Sequence, residues 1–384
     1  MPREPGGGGS ALDDRPSILV IGARGIRGSE GGVEKFAEEF IRRVARDCRV
    51  TALCLAARKP DDVDVELIVT PRSNFIRTDK IFYYMVAGWI CLSRRFDHVV
   101  LLGLNSAVLL LVLRLMFWRR VRVVVRSGSV DYIFDKWGPV SKLYFRLGES
   151  LLCFADSVVA IAPSIQRRLA NSGIRSVLIR NGLSVVSAPS PLADREARHV
   201  IAVGRVTPEK NYSQLIEAAQ LLRHRDVSVT IVGGIDLSGE GRKLKALMEQ
   251  GAVSNVTLAG AVDRGRVLQL LSSASLFVNC SLQEGMSNAV LEAIQQGSPI
   301  ILSDIEANRD LDLPDALYFD PRSPTDLAAR IEQALTTPSD FVVARERFED
   351  WDEVIERYRR LMALPRESPY APDLPLLGSR SGES

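Results

Sequence analysis

The sequence predicts an α/β fold with two domains, each a parallel sheet covered by helices on both faces. Three observations support this prediction. Short apolar runs typical of buried strands alternate with longer segments of helical periodicity. The chain has 384 residues, which is enough for two domains with separate hydrophobic cores. A stretch rich in Ser, Pro and Ala at 184–198 lacks periodicity and is interpreted as a linker, because a second alternating series begins after it.

The first series occupies residues 17–183. It begins with an apolar run at 17–22 that ends in glycine, as expected of a buried parallel strand. A helix is predicted next at 33–44, where apolar side chains recur at helical spacing. The remaining predicted elements continue the alternation at 50–56, 65–69, 82–92, 98–102, 107–117, 121–125, 143–154, 157–161 and 177–179.

The second series occupies residues 199–345. Its predicted strands are 200–203, 229–232, 256–258, 276–278 and 299–302, and its predicted helices are 212–222, 242–250, 266–274, 289–296 and 325–335. The segment 346–364 contains a last amphipathic helix, and the tails 1–16 and 365–384 are expected to be flexible. Both domains are Rossmann-like, so ligands are expected at the carboxyl ends of the strands.

Composition narrows the class of protein. A hydrophobic fraction of 46% with 25% charged residues is typical of a globular chain. The five cysteines include no close CxxC pair, which favours buried, reduced thiols over disulfides or a zinc site. No apolar run reaches 18 residues, and the N-terminus lacks a signal-peptide pattern. We therefore expect a cytoplasmic protein, at most associated with the cytoplasmic face of the inner membrane.

Charge is divided unevenly along the chain. Residues 1–183 carry 28 Lys and Arg against 18 Asp and Glu, a net charge of +10, whereas the remainder carries −8. A basic first domain favours an anionic partner such as anionic lipid or a pyrophosphate-bearing acceptor. Nucleic acid is not expected, because the sequence has no known nucleic-acid recognition pattern. Apolar segments with basic flanks at 80–95 and 115–120 suit weak peripheral membrane contact, and core helices are the alternative.

A glycine-rich loop follows the first predicted strand, from Gly22 to Gly32. Glycines let the backbone turn close to a phosphate, and the next helix offers its N-terminus to an anion. The Gly-x-x-Gly-x-x-Gly spacing, together with Tyr132 and Lys136, also suits an NAD-dependent dehydrogenase or epimerase. The second strand ends without a carboxylate for a ribose, which disfavours that alternative. A turn without a ligand is the structural alternative.

Two cations, Arg205 and Lys210, follow the first predicted strand of the second domain, just after Gly204. Because they lie five residues apart in a loop that opens a helix, they can hold a diphosphate from two sides. A leaving diphosphate gains negative charge as its bond breaks, so fixed cations stabilise the transition state more than the ground state. Solvated charges without a ligand are the alternative.

A third candidate site runs from Glu284 to Glu292, after the predicted strand 276–278. Ser287 or Asn288 can cap the helix that begins there, and its first-turn amides can bind phosphate oxygens. Glu284 precedes the helix and can face a sugar. Glu292 lies more than one turn inside it, where its carboxylate can accept hydrogen bonds from a ribose diol. An amphipathic helix with two exposed glutamates is the alternative.

Together these sites resemble glycosyltransferase family 4, the retaining enzymes of GT-B fold, over about residues 17–362. The likeness is specific in the second domain and looser in the first. It implies two Rossmann-like domains that face each other across a cleft, with the last helix packed back on the first domain. The matching residues are Gly31-Gly32-Val33, Arg205 with Lys210, Glu284 with Glu292, Ile231 to Gly234, Leu258 to Val262 and Ser303-Asp304-Ile305.

The resemblance also implies roles for individual residues. Arg205 and Lys210 would stabilise the leaving diphosphate, and Glu284 would contact the donor sugar, so these three are the predicted catalytic residues. No cofactor and no metal are expected, because the two cations take the place of a metal. The predicted donor-binding residues are Gly31, Gly32, Gly204, Gly260, Val262, Gly285, Met286, Ser287, Asn288, Ala289 and Glu292.

One feature departs from the family. Many members carry a histidine late in the first domain, where this chain has Arg126 in the matching loop. Arg126 or Asp131 could replace it on the acceptor side, and a simple turn residue is the alternative for Asp131. The segment 135–138, Asp-Lys-Trp-Gly, resembles a subgroup associated with capsule or exopolysaccharide assembly, including rhamnose transfer.

These observations predict a hexosyltransferase. It would move a hexose or deoxyhexose from a nucleoside-diphosphate sugar to a lipid-linked or oligosaccharide acceptor in surface polysaccharide or glycoconjugate synthesis. A non-catalytic nucleotide-sugar binding subunit of the same fold is one alternative, because the expected histidine is missing. An NAD-dependent nucleotide-sugar epimerase or dehydrogenase is the other.

Overall fold

A computed structural model of the chain describes residues 15–26, 31–55, 63–70, 78–115, 121–128, 138–184, 191–235, 239–249 and 253–364. Within these ranges the strands form two all-parallel sheets, and helices connect most pairs of successive strands. The predicted α/β fold with two Rossmann-like domains is confirmed. The predictions at Asp131 and at the segment 135–137 concern residues outside the described ranges, and so does the Tyr132 and Lys136 pair of the dehydrogenase alternative.

The first sheet contains seven described strands in the order β3-β2-β1-β4-β5-β6-β7. Their bounds are β1 Ser17–Ile21, β2 Arg49–Cys54, β3 Val65–Val69, β4 His98–Leu102, β5 Arg122–Ser127, β6 Ser157–Ala160 and β7 Val177–Leu178. The helices of this domain are α1 Gly32–Val44, α2 Thr78–Ser93, α3 Leu109–Leu115, α4 Pro139–Ser150 and α5 Pro163–Asn171. The strand order reverses between β1 and β4, so a crevice opens at their carboxyl ends, where the glycine loop begins.

The second sheet contains six described strands in the order β10-β9-β8-β11-β12-β13. Their bounds are β8 Glu196–Val203, β9 Ser228–Val232, β10 Val256–Gly260, β11 Ala274–Asn279, β12 Ile300–Ser303 and β13 Tyr318–Phe319. The helices are α6 Tyr212–Leu221, α7 Glu240–Glu249, α8 Arg264–Ser273, α9 Asn288–Gln295, α10 Glu306–Arg309, α11 Pro324–Thr336 and α12 Trp351–Met362. The order reverses between β8 and β11, so the loops after these two strands form the walls of a second crevice.

The last helix, α12, packs on the first domain. Trp351 and Tyr358 are buried against Phe36 of α1, with ring centroids 6.1 and 5.0 Å apart. A capping box between Asp350 and Glu353 fixes the start of the helix. The last described helix, α12, therefore crosses from the second domain back to the core of the first.

Several details differ from the sequence-based expectation, including the helices α5 and α10, which are not among the predicted elements. Strand β8 begins at Glu196, inside the predicted linker, because Glu196 pairs with Ala274 of the neighbouring strand. The short strand β13 was not predicted, since two residues cannot establish an alternating pattern. Cys153 is exposed and not buried, because it lies in the turn after α4, whereas the other four cysteines are buried.

Candidate active site

The loops after β8 and β11 bring two predicted catalytic residues together. Lys210 and Glu284 form an ion pair in which their side chains are 21% and 13% exposed. The hydroxyl of Ser281 donates a second hydrogen bond, 2.9 Å long, to the same carboxylate oxygen of Glu284. Arg205 lies in the loop after β8 with its side chain exposed to solvent. Residues separated by 74 positions in sequence thus form one polar group at the carboxyl edge of the sheet.

The glycine that precedes this loop is required by close packing. Gly204 has a φ of +153°, and an added Cβ atom would lie 2.9 Å from the Tyr212 hydroxyl and 3.1 Å from Lys210 Cε. Tyr212 donates a 3.1 Å hydrogen bond to the Gly204 carbonyl, and burial raises the pKa of its hydroxyl well above the usual value. A side chain at position 204 would therefore displace the predicted phosphate-binding lysine.

The two loops are also joined through the backbone. The amide of Leu282 donates to the Glu209 carbonyl at 2.8 Å, and the Cys280 thiol donates to the Lys210 carbonyl at 3.2 Å. Burial raises the pKa of this thiol to about 12, so it remains protonated and acts as a donor. These contacts hold the cation of one loop opposite the carboxylate of the other.

The start of α9 is only partly as predicted. Ser287 occupies the N-cap position, but its side chain makes no cap hydrogen bond to the helix. Instead, Asn279 Nδ2 lies 3.3 Å from the Ser287 hydroxyl oxygen. The N-terminal amides of α9 therefore remain open to a ligand, as an anion site at a helix N-terminus requires.

The glycine loop of the first domain lies opposite this helix. Gly31 is the N-cap residue of α1 with a φ of +152°, and a Cβ atom there would lie 2.1 Å from a Glu34 carboxylate oxygen. A Cβ atom on Gly32 would lie 3.4 Å from the Asn288 side-chain nitrogen. The N-termini of α1 and α9 thus meet across the cleft, and a diphosphate between them would face both positive helix ends.

Glu292, predicted to accept hydrogen bonds from a ribose, is 8% exposed and faces the first domain. Its carboxylate oxygen Oε1 accepts a 3.0 Å hydrogen bond from Lys35 Nζ of α1. A guanidinium nitrogen of Arg264, the first residue of α8, lies 3.4 Å from the same oxygen. Two cations therefore share one oxygen of this carboxylate.

The remaining donor-site predictions lie nearby. Gly260 ends β10 and its carbonyl accepts a 2.8 Å hydrogen bond from the Gly233 amide, while Val262 packs on the core of the second domain. The five residues of the loop and first turn of α9 are all partly buried: Gly285, Met286, Ser287, Asn288 and Ala289. Met286 contacts the cores of both domains, so the loop lies at their junction.

Comparison with known proteins agrees with this geometry. A model of the family "Glycosyltransferase Family 4" matches residues 30–187, and a model of "Glycosyl transferases group 1" matches residues 188–352. The two matches adjoin and together cover both domains. The chain belongs to glycosyltransferase family 4. This membership leaves no support for the dehydrogenase alternative.

Two curated relatives of this family 4 chain match it in part. A candidate teichuronic acid biosynthesis glycosyltransferase of Bacillus subtilis is 30% identical over 202 residues, which is 48% of this chain and 49% of that protein. A mannosyltransferase of Mycolicibacterium hassiacum is 30% identical over 153 residues, or 38% of this chain and 37% of that one. The chain thus spans about half, or less, of the length of these relatives.

Solved structures resemble the family 4 chain over nearly its whole length. A sucrose-phosphate synthase from Thermosynechococcus elongatus has a TM-score of 0.73 at 19% identity, covering 91% of this chain and 100% of that one. The Anabaena protein HepE, solved with UDP and glucose, has a TM-score of 0.69 at 17% identity, covering 91% and 99%. At these identities the likeness establishes the fold, and the GT-B prediction is confirmed.

Arg126, predicted on the acceptor side of this family 4 chain, is buried. The residue is 2% exposed, and its guanidinium carbon lies 4.2 Å from the centre of the Phe36 ring. Desolvation by burial lowers its pKa, although the neighbouring Tyr358 hydroxyl opposes the shift. Its amino group donates a 2.5 Å hydrogen bond to the side chain of Asn181. In this arrangement α1 and α12 cover the strand that carries Arg126, and a role on the acceptor side stays a prediction.

Sequence reasoning missed two polar residues of the family 4 cleft. Asn181 donates 2.9 Å to the Asn288 side-chain oxygen, and its own amide lies 3.4 Å from the Met286 sulfur. Lys35 bonds Glu292 as described above. An Asn-Gly pair after a late strand and a lysine just after the glycine loop were available signals. Neither shows from sequence alone which part of the other domain it meets.

Proposed function

We propose that the chain transfers a hexose or deoxyhexose, with retention of configuration, from a nucleoside-diphosphate sugar to an acceptor hydroxyl. The observation that carries this proposal is the ion pair of Lys210 and Glu284 beside the open N-terminus of α9. That arrangement offers a cation and helix amides to a diphosphate and a carboxylate to a sugar. The relationship to family 4 and the likeness to HepE, solved with UDP and glucose, support the same class of donor.

The proposed mechanism follows from how the charged groups of the site are held. Lys210, with Arg205 in the same loop, neutralises charge that develops on the leaving diphosphate. The Glu284 carboxylate is already held by Lys210 and Ser281, which suits hydrogen bonding to sugar hydroxyls better than nucleophilic attack. We therefore propose departure and attack on the same face, with a leaving-phosphate oxygen taking the acceptor proton. The cations and helix amides serve in place of a metal.

A thermal-shift screen against UDP, TDP, GDP and their sugars tests donor binding. Binding to the folded state alone raises the apparent stability, by about 2.7 kcal/mol when the ligand is at 100 times its Kd. We expect one base to raise the melting temperature clearly above the others. Failure of all three nucleoside diphosphates at millimolar concentration would contradict the proposed function. Binding without turnover over a broad acceptor panel would favour the non-catalytic alternative.

The acceptor is proposed to be lipid-linked, because the first domain presents an apolar face to solvent. This face comprises large side chains of α2, α3 and α4 that are 45–69% exposed: Ile81, Met85, Trp89, Leu92, Leu111, Leu115, Leu143 and Leu147. Exposed arginines, including Arg95 and Arg146, lie on the same elements or next to them. Apolar side chains beside cations are suited to the interface of a bilayer with anionic lipid. Among the described residues, no helix is both long and apolar enough to cross a membrane.

Substituting Trp89 by Glu should reduce binding to vesicles that contain anionic lipid. Trp89 is 69% exposed, so the change removes an anchoring ring and adds a charge of unfavourable sign without disturbing the core. Co-sedimentation with phosphatidylglycerol-containing and purely zwitterionic vesicles measures the effect. The matched control is Leu221→Glu, which introduces the same charge at a 47% exposed leucine of α6 in the second domain. Equal sedimentation of both variants and the wild type would argue against membrane contact through this face.

A further inference from the structure

One face of α9 is bonded to the first domain and the interdomain segment at three positions. Asn288, Glu292 and Gln295 lie on it at helical spacing i, i+4 and i+7. Each supplies a side-chain oxygen: Asn288 accepts from the Asn181 side chain at 2.9 Å, and Gln295 from the Ser184 amide at 2.9 Å. The middle position is the ion pair of Glu292 with Lys35. The helix that carries the donor motif is thus also a contact helix between the two halves of the chain.

The middle contact differs from the other two because it is charged and enclosed. Lys35 and Glu292 side chains are 7% and 11% exposed, and their nitrogen and oxygen atoms lie 3.0 Å apart. Burial lowers the pKa of Lys35, and the Glu292 carboxylate opposes that shift. Lys35 follows the Gly31-Gly32 turn by only three residues, on the first turn of α1. The same turn therefore places both the glycines and this ammonium group against α9.

We propose that Lys35 is a positioning residue for donor recognition, holding Glu292 in the orientation in which it binds the ribose hydroxyls of the nucleotide. The inference rests on the proposed function and on the prediction from the sequence that Glu292 accepts hydrogen bonds from that ribose. Lys35 and Arg264 both approach Oε1, so that oxygen is held in place and these two contacts leave the acceptor capacity of Oε2 for a ribose hydroxyl. Because Lys35 belongs to the first domain, ribose recognition by the second domain becomes complete only when α1 lies against α9.

A merely structural ion pair would make a different prediction. It would stabilise the contact between the domains, and its loss would affect the affinities of nucleotides with and without ribose hydroxyls equally. If Lys35 positions Glu292 for the ribose hydroxyls, the loss of Lys35 must reduce the difference in affinity between nucleotides with and without those hydroxyls. Removal of Lys35 also leaves Glu292 paired with Arg264 at 3.4 Å, so the carboxylate keeps a cation and the variant should fold.

The test measures nucleotide binding by isothermal titration calorimetry on the full chain. UDP and GDP are each compared with the 2′,3′-dideoxy analogue, and TDP, whose sugar carries only the 3′-hydroxyl, with its 3′-deoxy analogue. For the base that binds, we expect the wild type to prefer the hydroxylated form by about tenfold or more, as hydrogen bonds to a charged group allow. Lys35→Met should reduce this preference to roughly threefold or less while the analogue binds as before, and Lys35→Arg should restore most of it.

The controls separate the outcomes. Lys243→Met removes an exposed lysine of α7 and should leave the preference unchanged. Melting curves without ligand verify that each variant folds, and Lys35→Gln, which also removes the charge, serves as the test variant should the methionine variant not fold. A wild-type preference that persists in a folded Lys35→Met or Lys35→Gln variant would overturn the inference but leave the proposed function intact. Absence of binding by the wild type to all three nucleotides would overturn the proposed function itself.

Discussion

Replacing Lys210 with Ala should lower kcat for sugar transfer by about 10²- to 10³-fold, the loss typical of a preorganised group that stabilises transition-state charge. The ammonium of Lys210 is held beside Glu284 and is only 21% exposed. Water therefore cannot readily take over its charge stabilisation in the alanine variant. Charge on the diphosphate grows only as the bond to the sugar breaks. The KM for the donor should therefore change much less than kcat. Steady-state kinetics with the donor found in the nucleotide screen measures both.

The control for this prediction is an ion pair of the same domain without contact to the cleft. Arg225 and Glu332 pair at 3.0 Å with 54% and 40% exposed side chains, and Arg225→Ala should leave kcat unchanged. Glu284 keeps hydrogen bonds from Ser281 after the loss of Lys210, so the loop should stay folded. A Lys210→Ala enzyme with kcat within threefold of the wild type would place the diphosphate elsewhere.

Replacing Trp351 with Ala should lower the free energy of unfolding by about 3–5 kcal/mol, the range for a buried aromatic removed from a core. Trp351 is 1% exposed and begins α12 against Phe36. The position also joins the domains, because the Trp351 amide donates to the Leu183 carbonyl at 3.1 Å. The change leaves a cavity at the point where the last helix meets the first domain. Urea denaturation followed by circular dichroism measures the loss.

The chain contains a matched control of the same residue type. Trp89 lies on the apolar face with 69% of its surface exposed, and Trp89→Ala should change the free energy of unfolding by no more than about 0.5 kcal/mol. If the two substitutions destabilise the chain equally, α12 does not contribute to the core as described. A large loss for Trp351→Ala alone supports the packing of α12 on α1.

The sequence predicted the parts of the site that local pattern determines. Gly204, Lys210 and Glu284 could be proposed from the sequence because each lies in the connection after a strand with a clear apolar run, and parallel strands bring their carboxyl ends to one edge. The glycine turn before α1 was found for the same reason. Their placement depends on elements within one domain, which periodicity identifies well.

Contacts between the domains could not be predicted in this way. Lys35 resembles any charged residue of an amphipathic helix, and its burial depends on α9 approaching from the other domain. Asn181 follows a strand of only two residues, too short to show a period. Arg126 was expected at the acceptor because of its loop, yet α1 and α12 cover it. The environment of each of these residues depends on how helices from distant parts of the chain pack together, and no local sequence pattern predicts that packing.

Proton NMR of the reaction tests the central claim most directly, because it reports donor consumption and anomeric configuration together. The purified chain would be mixed with the nucleotide sugar selected by the thermal-shift screen, with and without a glycan acceptor. The account predicts loss of the donor's anomeric signal, release of the nucleoside diphosphate, and a first-formed product with the donor's own configuration. A product of inverted configuration, or a bound donor that is never consumed with any acceptor, would contradict it.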